Sequence, residues 1–179
     1  KSVDRLLKIE TETSGEVTKE ISKKRFDYLT KVGSLYDLYS QKKYTKESDF
    51  QEDVRSFLKA LGFFMWRQNS GTMFKDGRWI QFTDRKGLPD ITVIYNGVYI
   101  GIELKMKTGA FTKHQKVTIP LMIESGIHVY VVDNFEELFF ITESLKDNIV
   151  KTSEGILIKN DLLVISEQQK KYRKKLGIN

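Results

Sequence analysis

The chain has 179 residues, 40% of them hydrophobic, and no cysteine. That is enough for one globular domain with appendages, and it excludes disulfide frameworks and thiolate metal sites, so any metal must sit on oxygen or imidazole. No apolar run is long enough to span a bilayer. Lys and Arg number 30 against 24 Asp and Glu, a net charge of +6, which is the footprint of a protein that meets phosphate backbones and equally fits a solvated basic surface. Lys1-Ser2-Val3-Asp4 carries neither an initiator Met nor the apolar core of a signal peptide, so an intracellular location is expected.

Residues 1–46 are rich in Lys, Glu, Ser and Thr, with Phe26, Leu29, Val32, Leu35 and Leu38 at helical spacing, and predict a helical N-terminal arm. Residues 47–142 carry the punctuation of an α/β core: helix, hairpin, hairpin, helix, strand. Its first helix is expected from Ser48 or Asp49, either suited to cap it, to Gly62, with Phe50, Val54, Phe57, Leu58 and Leu61 as the apolar stripe. At about 100° per residue Glu47 and Gln51 fall on that stripe, whereas Glu52 and Asp53 do not. Glu47 can alternatively serve only the helix dipole. Met73 to Ile80 reads as a hairpin with Lys75 and Arg78 flanking an Asp76-Gly77 turn. Residues 143–179 are expected to hold a strand pair, Gly155–Lys159 with Leu162–Ile165, and a basic tail.

The segment from Gly87 to Lys105 has the strongest local signal. Asn96-Gly97 between β-rich runs demands a two-residue type I′ turn. That turn sets Tyr95 against Val98, Val93 against Ile100 and Ile91 against Ile102, so Asp90 comes opposite Glu103. Side chains alternate, so Ile91, Val93, Tyr95, Val98, Ile100, Ile102 and Leu104 form a core face, and Asp90, Glu103 and Lys105 share the other. Carboxylates about 5 Å apart across a sheet destabilise it unless something compensates. A divalent cation does so, because Mg²⁺ takes oxygen ligands, commonly one or two carboxylates with water and phosphate. Lys105 is placed to orient the attacking water or stabilise charge on a phosphoryl oxygen. Gly101, opposite Thr92, is expected to leave room for a metal, water or phosphodiester. The competing reading is a surface strand with a Glu–Lys ion-pair face.

Pro89-Asp90 followed by Glu103-x-Lys105 resembles the PD-(D/E)XK nuclease motif. The ordered set Glu47-x-x-Phe50-Gln51, Trp66-Arg67-x-Asn69-Ser70-Gly71, Gly77-Arg78, Gly87-x-Pro89-Asp90, Gly101-Ile102-Glu103-Leu104-Lys105 and Thr112-x-x-Gln115 is similar to the VRR-NUC family in its short stand-alone form from phages and bacteria. The resemblance covers about Glu47 to Phe139. It implies a restriction-endonuclease-like core and Mg²⁺- or Mn²⁺-dependent hydrolysis of DNA, in some members of Holliday junctions or flaps. It further implies Asp90, Glu103 and the Leu104 carbonyl as metal ligands, Lys105 as the catalytic lysine, Glu47 (or Glu52) as the helix acid, and Gln115 as a residue bonding near the site or to substrate.

Arg67, Asn69 and Ser70 stand where polar groups bind phosphate or close over the metal, and Lys75, Arg78, Lys107 and Lys113 are further candidates for DNA contact. His114 is a weaker candidate and His128 reads as a strand histidine. Pro120 should kink or break the helix expected over Lys113–Ser125. After Gly126, Ile127–Val132 predicts a strand parallel to the Glu103 strand, and Asn134 then caps a short helix through Leu138. The expectation is therefore an α/β endonuclease acting with Mg²⁺ or Mn²⁺ on DNA, selective for branched or junction structures, with a homodimer open. A non-catalytic nucleic-acid-binding module, an RNA nuclease and an end-trimming nuclease are the alternatives.

Overall fold

The structure, a computed structural model, describes residues 23–68, 72–81, 85–106, 109–152, 155–158 and 166–178. The chain divides into two compact units, Lys1–Thr45 and Lys46–Asn179. In the first, helix α1 runs from Lys23 to Ser40, as the helical spacing predicts, with Val32 buried and Leu38 exposed.

The second unit opens with α2, Glu47–Ala60, which buries Phe50, Val54, Phe57 and Leu58, the predicted stripe. Its cap differs from expectation. Lys46 is the N-cap without a side-chain bond, and the Ser48 hydroxyl instead meets Asp49 Oδ1 at 3.1 Å. The helix thus begins one residue early, with Glu47 and Asp49 in its first turn, where acids favour the dipole. Glu47 is exposed, not on the buried line where sequence periodicity put it.

The central sheet is mixed and four-stranded, in the order β1-β4-β5-β6: β1 is Phe64–Arg67, β4 Ile91–Tyr95, β5 Val98–Leu104 and β6 His128–Val132. β1, β4 and β5 are antiparallel neighbours, and β6 joins β5 in parallel, as predicted. The β4–β5 register is the one the Asn96-Gly97 turn dictates, with Tyr95 on Val98, Val93 on Ile100 and Ile91 on Ile102. Both turn residues have positive φ, 48° and 83°, as a type I′ turn requires. β1 has no counterpart in the sequence reading, although Phe63-Phe64-Met65-Trp66 carries the signal of a strand. The second hairpin, β2 (Thr72–Lys75) with β3 (Arg78–Gln81), forms a two-stranded sheet of its own.

Helices lie on both sides of the sheet. Phe50 and Phe57 of α2 meet Phe135 of α4 (Phe135–Asn148) edge to face, each at 5.6 Å between ring centroids. On the other side, α3 (Gln115–Glu124) and α5 (Glu167–Lys175) pack Phe111, Ile119, Met122, Tyr172 and Leu176 against Val129 and Val131. α3 is continuous across Pro120, so the predicted break is absent. α4 is capped by Asn134, whose side chain accepts from the Glu137 N–H at 2.8 Å, yet it runs on to Asn148 and is not short. It passes unbroken through Thr142, the expected limit of the core.

The basic tail is likewise part of this body, through Gln169. Its side-chain oxygen accepts from the Val131 N–H at 3.0 Å and its amide donates to the Val131 carbonyl at 2.6 Å. Among the described residues β6 is an edge strand, and one amide side chain satisfies the outward backbone pair that an added strand would take. Gly155–Ile158 is a strand, β8, but its antiparallel partner is β7, Ile149–Thr152, whereas Leu162–Ile165 lies outside the described residues. Among the described residues no helix is long and apolar enough to cross a membrane.

Candidate active site

Strand pairing between β4 and β5 stops at Ile91 and Ile102. Asp90 stands one step beyond, in a bend rather than in the strand, so the direct cross-strand pair with Glu103 is modified. Its Oδ2 accepts from the Leu104 N–H at 2.8 Å, taking the place of the next ladder acceptor. Its carbonyl accepts from the Gln68 N–H at 2.8 Å, which draws the end of β1 to the same point. Asp90 is therefore fixed at both ends by backbone while its carboxylate lies over β5.

Glu103 is 0% exposed and Lys105 7%. The face predicted for the polar residues is thus covered, because α3 and α5 roof it with the apolar cluster described above. Lys105 Nζ lies 2.6 Å from Glu103 Oε1, and 5.5 Å from the centre of the Phe111 ring. Gln115 Nε2 donates to the same Oε1 at 2.5 Å. Glu103 Oε2 has no hydrogen-bond partner, the one such buried side-chain atom among the described residues. A desolvated carboxylate oxygen left without a partner is costly, and native proteins rarely keep one without a use.

Burial, and then the neighbouring Asp90, push Glu103 up to about 8 despite the opposing Lys105. Asp90 is also raised, first by burial, with Glu47 adding to it and the Leu104 N–H, Lys105 and Arg67 opposing. Glu47 is among the main electrostatic influences on both acids, and Glu52 is not. Ionised, Asp90 and Glu103, with Glu47 acting from further off, outnumber Lys105 and Arg67, and this excess of negative charge favours a cation.

Two glycines shape the site by close approach. Gly87, at φ +80, has the His114 carbonyl carbon at 2.4 Å and the Gln115 nitrogen at 2.7 Å from where a Cβ would stand, so only glycine lets the loop before Asp90 touch the start of α3. A Cβ on Gly101 would lie 2.7 Å from Pro89 Cγ. The space expected above Gly101 for a metal or phosphodiester is filled by Pro89, which corrects that expectation. Thr118 Oγ1 donates to the Lys86 carbonyl at 2.7 Å and pins the same loop to α3.

The structure thus brings Asp90, Glu103, Lys105 and Gln115 together, with Leu104 beside them and Glu47 and Arg67 within electrostatic reach. Lys75 and Arg78 are exposed on the separate hairpin, and Lys113 and His114 are exposed just before α3. Asn69, Ser70 and Lys107 lie outside the described residues. Phe111 under Lys105 was not singled out in the sequence; an apolar residue in the polar run Lys107–Gln115 is its signal. Among the described residues no three acids or histidines stand close enough together to form a ready cluster for a metal ion. The pair Asp90 and Glu103, with its orphaned buried oxygen, still fits a hard cation that takes further ligands from backbone, water and phosphate. No family model matches the chain, and a search of curated proteins finds no match.

Proposed function

We propose that this chain is a divalent-metal-dependent nuclease of the PD-(D/E)XK type, related to the VRR-NUC family, which hydrolyses phosphodiester bonds of DNA. The observation that carries the reading is Glu103: fully buried, beside Asp90, with Oε2 lacking any partner among the described residues. Structural ion pairs do not need an orphaned oxygen next to a second acid, whereas a metal ligand does. The helix before the sheet, the antiparallel β4–β5 pair, the crossover α3 and the parallel β6 are the arrangement expected of a restriction-endonuclease-like core.

Asp90, Glu103 and the Leu104 carbonyl would hold Mg²⁺ or Mn²⁺. Such an ion supplies Lewis-acid activation of water and neutralises phosphoryl charge. Lys105 gives up part of its contact with Glu103 to orient the attacking water and meet charge on the phosphoryl oxygen. Gln115 keeps Glu103 Oε1 facing inward, and Phe111 with the α3–α5 roof excludes bulk water. Glu47 and Arg67 adjust the charge at the rim. Water adds to phosphorus, the P–O ester bond breaks, and the leaving oxygen takes a proton.

A cleavage panel of single-stranded, duplex, nicked, flap and four-way-junction DNA, with RNA controls, tests the reading in Mg²⁺, Mn²⁺ and EDTA. Cleavage of DNA in the metals and none in EDTA is expected, and branched substrates should be cut best. An intact panel under every condition overturns it.

A further inference from the structure

The β2–β3 hairpin is not used by the chemistry above. Its register sets Phe74 against Trp79 and Lys75 against Arg78, around an Asp76-Gly77 turn with both φ values positive. The two aromatic rings lean on each other at 5.2 Å between centroids, 60° apart. They nevertheless remain 59% and 71% exposed. A cross-strand aromatic pair stabilises a hairpin, and that role requires only that the rings touch. It leaves unexplained two large ring faces held in water, a cost most proteins avoid.

Side chains alternate along each strand, so Lys75 and Arg78 project from the opposite face of the same ribbon, beside the turn, and both are exposed. Aromatic faces can stack a base, and cations one position along each strand, on long side chains at the turn, can reach round the edge of the ribbon to the phosphates beside it. A second copy of the chain is a poor occupant, because both copies would bring these cations and a net charge of +6. The hairpin is also rooted at the candidate site: Gln68, bonded to the Asp90 carbonyl, is the last described residue before it. Phe74 is six residues further on, so it stands within about 22 Å of Gln68 by any path of the chain.

We infer that the β2–β3 hairpin is a stacking platform for unpaired DNA bases, with Trp79 and Phe74 taking the base and Lys75 and Arg78 the flanking phosphates. This rests on the nuclease reading for its choice of nucleic acid and narrows the substrate to DNA that exposes single-stranded bases, such as a flap or an open junction. A closed duplex offers no base face to the rings.

The chain has two tryptophans, so Trp66→Phe leaves Trp79 as the sole tryptophan reporter. In EDTA, where no cleavage occurs, oligothymidylate of about 12 nucleotides should quench Trp79 saturably and a blunt duplex of equal length should not. Trp79→Lys, made in the otherwise native chain, adds a positive charge and removes the ring. Stacking predicts about tenfold weaker binding of labelled oligothymidylate, measured by anisotropy, despite the added charge. Unchanged Trp79 emission, equal quenching by duplex, or tighter binding by Trp79→Lys overturns the inference. Emission that shifts with protein concentration in the absence of DNA also overturns it, since that marks a second copy on the hairpin. The quenching titration keeps the hairpin intact and decides even where Trp79→Lys folds poorly. Metal-dependent cleavage without quenching would sink the hairpin and spare the nuclease reading; quenching without cleavage would do the reverse.

Discussion

Gln115 delivers its amide to the Glu103 carboxylate at 2.5 Å, and its orientation is fixed from behind, because Gln115 Oε1 accepts from the Thr112 N–H at 3.0 Å. The Gln115 N–H in turn meets Thr112 Oγ1 at 3.2 Å. This reciprocal pair has the pattern of a capping box, set in the turn that leads into α3, and it leaves only the donor end of the amide free to face the site. The same turn that leads into α3 aligns Gln115 on Glu103.

Gln115→Ala should therefore lower Mg²⁺ affinity and cleavage by about tenfold, the scale of losing a ligand's outer partner. Gln115→Glu should do worse, because it sets a third acid against Glu103 in place of a donor. Calorimetric Mg²⁺ titration of the variants checks this, and a Gln115→Glu protein with native affinity would show that the contact is incidental.

Glu103 carries a pH signature. Its ordinary value of 4.5 is raised to about 8 in the folded protein, so the unfolded chain loses this proton first. Between those values the folded state binds more protons, and stability of the metal-free protein should fall as pH rises. Mg²⁺ requires the ionised carboxylate, so its binding should release a proton below about pH 8 and should raise Tm more at pH 8 than at pH 6. Thermal melts with and without Mg²⁺ across that range read both slopes.

Gly87→Ala should be the most damaging single-methyl change near the site. The residue sits at φ +80, and the added Cβ would lie 2.4 Å from the His114 carbonyl carbon, which is backbone and cannot swing away. A loss of about 1–3 kcal/mol is expected from such strain, with Gln115 displaced and cleavage reduced further. Urea denaturation alongside the cleavage assay separates the two effects.

Glu47 and Glu52 give a paired test. Glu47 is among the main electrostatic influences on both Asp90 and Glu103, and Glu52 is not. Glu47→Gln should lower cleavage measurably and shift its pH profile down, since a nearby negative charge is lost. Glu52→Gln should leave both unchanged. Equal behaviour of the two in parallel pH–rate profiles would remove Glu47 from the site.

The β4–β5 register was legible because Asn96-Gly97 admits one tight turn, and each pairing then follows by counting. The α2 stripe and the parallel β6 were legible from periodicity and handedness. The covering of Glu103 was not. It goes with a cluster on the same face of the sheet, where Ile119 and Met122 meet Val129 and Val131 of β6 and Tyr172 and Leu176 of an otherwise basic tail, residues far apart in sequence whose meeting no local pattern encodes. The filled space above Gly101 was hidden for the same reason, because only the folded loop brings Pro89 over it. Gln169 was unreadable as an edge cap, since one glutamine in a charged run carries no periodic signal.

On the proposed reading, Asp90 and Glu103 form a metal-dependent hydrolytic site. Its most direct test is single-turnover cleavage of labelled flap DNA in Mg²⁺ by the native chain and by Asp90→Asn, purified in parallel and matched for Tm. Cleavage by the native protein is expected, with a loss of at least a hundredfold in Asp90→Asn, a barrier change of about 2.7 kcal/mol. Equal rates in the two preparations would contradict it.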